Sequence, residues 1–509
     1  MTPADPLPPW LEPLLDVQQL RASDACAIEE RGIPGLELME RAGEGLARVV
    51  AGVAPGGDVV VVCGGGNNGG DGYVVARLLR ERGRAVRVLT TVDVAKLKGD
   101  ARASFEALPG AAPEPFDAAA LTGAAVIVDA ILGTGFSGEP RADVAAAIAA
   151  INAAGVPVVA ADVPSGVDAG TGAVAGEAVR AQVTATFHAA MPGLWILPGK
   201  AHAGEIVVVD IGIPHAEAPA RPWIGLIDAG VLDAYPRRGQ DSTKFASGHV
   251  LVAGGSRGMT GAVCLASMAA MRAGAGYVTA CVPDALNDIF EIKLTEVMSL
   301  PLPDDGGAHT EAGAGDVIDR AGSRGGTLVI GPGLGRTGGA VAFARRLVAE
   351  APVAIVLDAD GLNAHAGRLD ALAGRDHPAI LTPHAGELAR LLEVESDAVN
   401  AARLEHVREA ARRSGAIVVL KGDDTLVAEP EGRVAISRGG SPGLATAGTG
   451  DVLSGVLAAF LARGMAPFDA ACAAVFAHAE AGRRAAALLG GPDGVIASDV
   501  VDALPHTLD

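Results

Sequence analysis

Residues able to do chemistry cluster first in VVVVCGGGNNGGDGYVVARLLRERG, which reads as strand, glycine loop and helix. Gly64, Gly66 and Gly69 satisfy the G-x-G-x-x-G spacing that places a pyrophosphate on a helix N-terminus. Asp71 stands where that helix begins and would repel a pyrophosphate, whereas Asn67 and Asn68 supply amides suited to a polar ligand or a cation. The structural alternative makes Asp71 a plain helix N-cap. Two later strands also end in acids, Asp129 in VDAILGTGFSGEP and Asp162 in ADVPSGVDAG. Ligands gather at the carboxyl ends of strands in an open α/β sheet. Asn68, Asp129, Asp162 and Ser165 are therefore expected in one crevice, one carboxylate holding a hard monovalent cation and another acting as base.

The second half carries GGSRGMTGA, GPGLG, LDADGLN, TPHAGE, KGDDT and GTGD in that order, and no P-loop. Gly448, Thr449 and Gly450 precede Asp451 and an apolar stretch that reads as a buried helix. Free amides at such a helix start can hold a transferring phosphoryl oxygen, and an acid there can take a hydroxyl proton. Each reading has a structural alternative: Asp451 as N-cap, Lys421 as a surface lysine, His384 as a structural histidine, GPGLG as a turn.

These motifs need strands to carry them. Apolar spacing of three and four predicts helices over residues 17–31 and 36–50. Strands are expected at 58–62, 85–90, 124–129, 156–161, 183–187 and 206–211, alternating with helices as in a mostly parallel, doubly covered sheet. Residues 214–238 lack a firm period, which places a domain boundary near residue 225 and divides the chain into domains 1–225 and 226–509. A second alternating series follows at 249–253, 276–282, 327–330, 354–357, 380–382, 417–420 and 425–428.

Of the 509 residues, 60 are Asp or Glu and 40 are Lys or Arg, a net charge of −20 that argues against nucleic acid as a partner. Charge-free stretches at 144–161 and 181–199 approach membrane-spanning length, but Asn152, Gly155 and Pro157 interrupt the first, and Gln182 and His188 the second. No charged segment precedes an apolar run at the start, so no signal peptide is expected. Five scattered cysteines without a C-x-x-C pair suggest neither disulfides nor zinc. A cytoplasmic protein without a membrane partner is expected.

LMERAG, GGGNNGGDGYVVAR, DAILGTG and DVPSGVD together resemble the NAD(P)H-hydrate epimerase family, also called the YjeF N-terminal domain, over most of residues 17–215. The resemblance implies a Rossmann-like three-layer domain and a potassium ion (K+) held by Asn68, Asp129 and Ser165. It also implies a substrate lying along Asn67, Asn68, Gly69, Gly70 and Asp71 and along Gly133, Thr134, Gly135, Phe136, Ser137, Gly138 and Glu139, with Asp162 at the reacting ring. Many members have a lysine in the segment corresponding to TFHAAMPGLWILPG. Here Ala190 and Met191 stand at those positions, so reduced epimerase activity is one expectation.

The six C-terminal motifs resemble the ADP-dependent NAD(P)H-hydrate dehydratase family, a branch of the ribokinase-like α/β fold, over about residues 235–505. By that resemblance Ala262, Gly333, Gly335, His384 and Asp451 meet the hydrate, while Lys421, Gly422, Asp423, Asp424, Thr425, Gly448, Thr449 and Gly450 meet the adenine nucleotide. Ser441 stands where members often have Asn. The implied activity is repair of hydrated NADH and NADPH, the first half interconverting the epimers and the second dehydrating the S form with ADP as phosphoryl donor and Mg2+ as its counter-ion. A homo-oligomer is the expected assembly. Three rivals stay open: a small-molecule kinase, a nucleotide-binding regulator, and an oxidoreductase resting on Gly64, Gly66 and Gly69.

Overall fold

The computed structural model describes residues 6–213 and 221–508. Its contacts form two compact units, one of Pro13–Ile224 and one joining the residues up to Glu12 to those from Gly225 onward. The aperiodic stretch expected to hold the domain boundary falls partly on residues 214–220, outside the described residues. Its remainder holds the strand Ile224–Ile227 and the 3-10 helix Ala229–Ala234.

In the first unit the valine run of the strand Asp58–Cys63 dictates the layers. Successive side chains point to opposite faces of a strand, so four valines leave both faces apolar and both must be covered. Val59 and Val61 pack with Leu46 of the helix Gly35–Val53 and Val75 of the helix Asn67–Glu81. Val60 and Val62 pack on the other face against Ile148 and Ile151 of the helix Ala142–Ala153. Seven strands make the sheet, in the order Glu114–Pro115, Val86–Thr90, Asp58–Cys63, Ala124–Ala130, Val158–Ala161, Val183–Phe187 and Glu205–Val209. All neighbours are parallel. Strand order reverses between Asp58–Cys63 and Ala124–Ala130, and such a switch point opens a crevice at the carboxyl ends.

The second unit is built on an eleven-stranded sheet among the described residues. Met298–Leu302, Tyr277–Pro283, His249–Ala253, Thr327–Ile330, Ala354–Leu357, Ala379–Leu381 and Ile417–Leu420 run parallel, and Leu426–Ala428 and Val434–Ile436 continue antiparallel. Ile224–Ile227 and Leu11–Leu14, the strands in which the chain passes between units, complete that edge. The reversal lies between His249–Ala253 and Thr327–Ile330.

Seven strands among the described residues were not expected: Met298–Leu302, Val434–Ile436, Ile224–Ile227, Leu11–Leu14, Glu114–Pro115, Asp304–Asp305 and Ala308–His309. Each is short and sits where periodicity is weak, Pro301 interrupting the first. The helix expected over 17–31 is α-helical only from Val17 to Ala25 and then widens into a π-helical turn, Cys26–Glu30.

Candidate functional site

A cavity of about 660 Å³ opens at the first unit's switch point, within the size range of small-molecule sites. The helix Asn67–Glu81 begins after Gly66, so Asp71 is no N-cap but a buried acid one turn inside. A Cβ on Gly69 would stand 2.1 Å from the Gly64 carbonyl oxygen, and one on Gly64 1.9 Å from that of Ile131. The outer glycines of the spacing thus let the loop close against the neighbouring strand end.

Asn68 donates through Nδ2 to the Leu132 carbonyl at 2.8 Å, while its Oδ1 is buried without a hydrogen-bond partner. Fully buried Asp129 accepts from the Ser165 hydroxyl at 2.6 Å and amide at 2.8 Å. The Ser165 oxygen accepts from the Leu132 amide at 2.8 Å. Asn68, Asp129 and Ser165 therefore form one cluster through Leu132. Asp162 accepts from the Thr134 amide at 3.2 Å. Burial raises both Asp129 and Asp162 to about 6, against the hydrogen bonds that favour their ionised forms. Asp71 is pushed up well beyond the usual carboxylate range by burial first, then by Asp162 and Asp24.

Asn67, Asn68, Asp71, Gly133, Thr134, Gly135, Phe136 and Asp162 line this cavity. Gly69 and Gly70 instead serve packing, Gly70 against Met39. Ser137, Gly138 and Glu139 continue beyond the wall, with Glu139 beside Gly176. Ala190 and Met191 are buried, and Met191 packs with Val163 and Leu194 in an apolar cluster. Arg21, Asp24 and Asp100 also line the cavity and were not anticipated, although Leu20, Asp24 and Ile28 carry a four-residue spacing.

In the second unit Gly448, at φ +95°, caps the helix Thr449–Ala462 and puts Asp451 in its first turn, so Asp451 is not the N-cap. First-turn amides have no partner within the helix, which leaves those of Gly450 and Asp451 for a ligand. Burial raises Asp451 to about 7, with Asp358 adding to the rise and Lys421 opposing it. Lys421 is no surface lysine. Its Nζ donates to Asp358 at 2.9 Å and lies 3.9 Å from Glu387, and Ser454 donates to the other Asp358 oxygen at 2.7 Å. Asp358 and Glu387 stood in LDADGLN and TPHAGE, where an acid after a β-branched run or in a first helical turn was the available signal.

A second cavity of about 270 Å³ is lined by Lys421, Gly422, Asp423, Thr425, Ser441, Thr449, Gly450 and His478. Asp424 turns away from it into a buried ion pair with Arg403, Oδ2 to Nε 2.8 Å. Gly333, at φ +61°, lies beside Ala262, and its carbonyl accepts from the Ser256 hydroxyl. Gly335 donates its amide to Asp360. This loop follows Thr327–Ile330 at the switch point, where a ligand is expected. His384 caps the helix Ala385–Leu392, its Nδ1 accepting from the amides of Gly386 and Glu387, and the ring stays half-exposed with Nε2 3.5 Å from Glu387 Oε1.

A family model described as NAD(P)H-hydrate dehydratase matches residues 250–506, and one described as YjeF-related protein N-terminus matches residues 35–193. The chain is 39% identical over 522 residues to a bifunctional NAD(P)H-hydrate repair enzyme of Salinibacter ruber, covering 97% of this chain and 96% of that protein. It is 38% identical over 512 residues to the enzyme of that description from Moorella thermoacetica, with the same two coverages. Among solved structures, the ADP/ATP-dependent NAD(P)H-hydrate dehydratase of Bacillus subtilis, co-crystallised with ATP and Mg2+, is 27% identical. The match covers 55% of this chain and 96% of that one, with a TM-score of 0.47. Among the described residues no helix is long and apolar enough to cross a membrane.

Proposed function

The chain belongs to the family of bifunctional NAD(P)H-hydrate repair enzymes, and from that premise we propose that the cavity at Asp162 is its epimerase site and the cleft at Asp451 its ADP-dependent dehydratase site. One observation carries the assignment: the cavity at the first unit's switch point holds Asp162, raised by burial, and in the second unit Asp451, likewise raised, follows Gly450 of the smaller cavity in the same first helical turn.

At the first site the Asp162 carboxylate takes the proton of the hydroxyl on ring carbon six. The bond from that carbon to the ring nitrogen opens, and reclosure on the other face with return of the proton gives the other epimer. At the second site Asp451 takes the hydroxyl proton as the oxygen attacks the β-phosphorus of ADP, releasing AMP. The first-turn amides of Gly450 and Asp451 face the charge that develops on the transferring group. The phosphorylated oxygen then leaves as phosphate, a proton leaves carbon five, and the ring double bond reforms.

Asn68, Asp129 and Ser165 fit a potassium ion, since the partnerless buried Oδ1 of Asn68 belongs to an all-oxygen cluster carrying one carboxylate. Such an ion would offset the Asp129 charge and fix the loop. Mg2+ comes with the nucleotide, chelated mainly by phosphate oxygens. A cytoplasmic homo-oligomer belongs to the same proposal, and light scattering of the eluting protein tests the assembly.

The function is tested by following recovery of dihydronicotinamide absorbance from a mixed-epimer NADH hydrate with ADP. Complete recovery in wild type, recovery of the S share alone in Asp162→Ala and none in Asp451→Ala are expected. Wild type without nucleotide-dependent recovery would overturn the reading.

A further inference from the structure

The cavity of the first unit is acidic, yet the substrate class assigned to it carries a pyrophosphate dianion. Asp24, Asp71, Asp100 and Asp162 all line it, and Arg21 is the one guanidinium or ammonium group among the described lining residues. The charges differ in depth, and Asp24 is exposed like Arg21 one turn before it. Asp71 is buried and Asp162 half-buried, whereas Arg21 is exposed at the rim. Its Nη2 lies 3.7 Å from where a Cβ on Gly135 would stand, so the guanidinium overhangs the loop that carries Gly133 and Phe136. Arg21 comes from the helix Val17–Ala25, upstream of the matched residues 35–193. That helix turns Leu20, Arg21 and Asp24 toward the cavity, and Ile28 of the π-helical turn joins them.

We infer that Arg21 is the phosphate anchor of the epimerase site, holding the pyrophosphate of the dinucleotide hydrate at the rim while the hydrated ring points inward to Asp162. The inference rests on the epimerase reading of this cavity. The opposite orientation would bring a dianion against Asp71 and Asp162, each already destabilised as an anion by burial. A guanidinium presents a planar fork of donors matched to phosphate oxygens, and an exposed one adds attraction that salt weakens.

The experiment compares the full chain with Arg21→Gln and Arg21→Lys, measuring epimerisation of the hydrates of NADH, of reduced nicotinamide mononucleotide and of reduced nicotinamide riboside. In Arg21→Gln the KM for NADH hydrate should rise about five- to tenfold, the scale of one solvent-accessible hydrogen bond. Its kcat should stay within about twofold, and the phosphate-free riboside hydrate should be unaffected. The lysine variant should recover part of the loss. The KM of wild type for NADH hydrate should rise with ionic strength, and that of Arg21→Gln should rise less. A rise for the mononucleotide equal to that for the dinucleotide would move the contact to the phosphate nearest the ring, overturning the pyrophosphate assignment. Equal losses on all three hydrates, or none, would overturn the anchor altogether.

Calorimetric titration with NAD+ keeps the inference separable from the epimerase reading. The second unit is common to wild type and Arg21→Gln, so any difference belongs to Arg21. If wild type interconverts no epimers, the epimerase reading falls and the anchor falls with it, even where Arg21→Gln weakens NAD+ binding. If epimers interconvert but both isotherms and KM values coincide, only the anchor falls.

Discussion

Asp162 and His188 adopt the same left-handed backbone, φ +67° each, at the carboxyl ends of two neighbouring parallel strands, Val158–Ala161 and Val183–Phe187. Each sends its amide one strand further on, Asp162 to the Ala185 carbonyl at 2.8 Å and His188 to that of Val209 at 2.9 Å. Both side chains line the larger cavity. A non-glycine residue in this region costs about 1–3 kcal/mol and persists only where its surroundings enforce it.

The cost at Asp162 makes stability and activity separable. Asp162→Gly removes both the strain and a half-buried carboxylate, so the first unit should unfold about 1 kcal/mol later while epimerisation is lost. Differential scanning calorimetry and consumption of the R hydrate check the two halves of this prediction. A destabilised glycine variant would show that the Thr134 amide contact outweighs the strain.

Dehydration should follow the protonation of Asp451. Because burial holds this acid at about 7, kcat/KM should fall tenfold per pH unit below that value and level off above it. Asp358 raises Asp451, so Asp358→Asn should move the acid limb to lower pH. A limb that stays in place would assign it to another group.

Asp424 and Lys421 stand three residues apart but should fail differently. Asp424→Ala strands the Arg403 guanidinium in a nearly dry site, a loss on the scale of about 3–5 kcal/mol for a broken buried pair. It should lower the unfolding temperature while leaving the KM for ADP of the surviving folded protein within about twofold. Lys421→Met should instead abolish ADP binding measured by calorimetry.

Acid should weaken the second unit through His249. It is buried against Tyr277, its ring nitrogen shares a hydrogen bond with Thr279, and burial lowers its pKa to about 4. An unfolded histidine titrates near about 6.5. The stabilising difference is therefore complete above that pH and is lost as pH falls toward 4. At pH 5 this amounts to about 2 kcal/mol. Denaturant unfolding of wild type and His249→Gln at pH 7.5 and 5 should show the smaller pH dependence in the variant.

What could be read from residue order depended on how locally each position is determined. Asp129, Asp162 and Asp451 were visible because each ends a β-branched run or opens an apolar helix, and their environments follow from the strand ends they occupy. Asp424 shared the KGDDT motif with Lys421, and nothing local distinguished them. Its direction is decided by Arg403 on a separate helix. Arg21 and Asp24 were hidden for a related reason, since an exposed-looking helix face acquires meaning only once the helix packs over a strand end. Gly64 and Gly69 fitted a pyrophosphate spacing, yet their close approaches to backbone oxygens show that packing alone demands them.

The chain enters the first unit after Glu12 and leaves it before Gly225, and a Cβ on Gly225 would stand 2.6 Å from the Glu12 carbonyl oxygen. The first unit is therefore a guest threaded into its host, entering and leaving through adjacent doors, an arrangement that tolerates excision. A short bridge from Glu12 to Gly225 would leave the host continuous. A fragment begun at residue 225 would instead lose Trp10 from beside Phe468 and expose an unpaired strand edge, so the dehydratase half is completed only by the segment that precedes its guest.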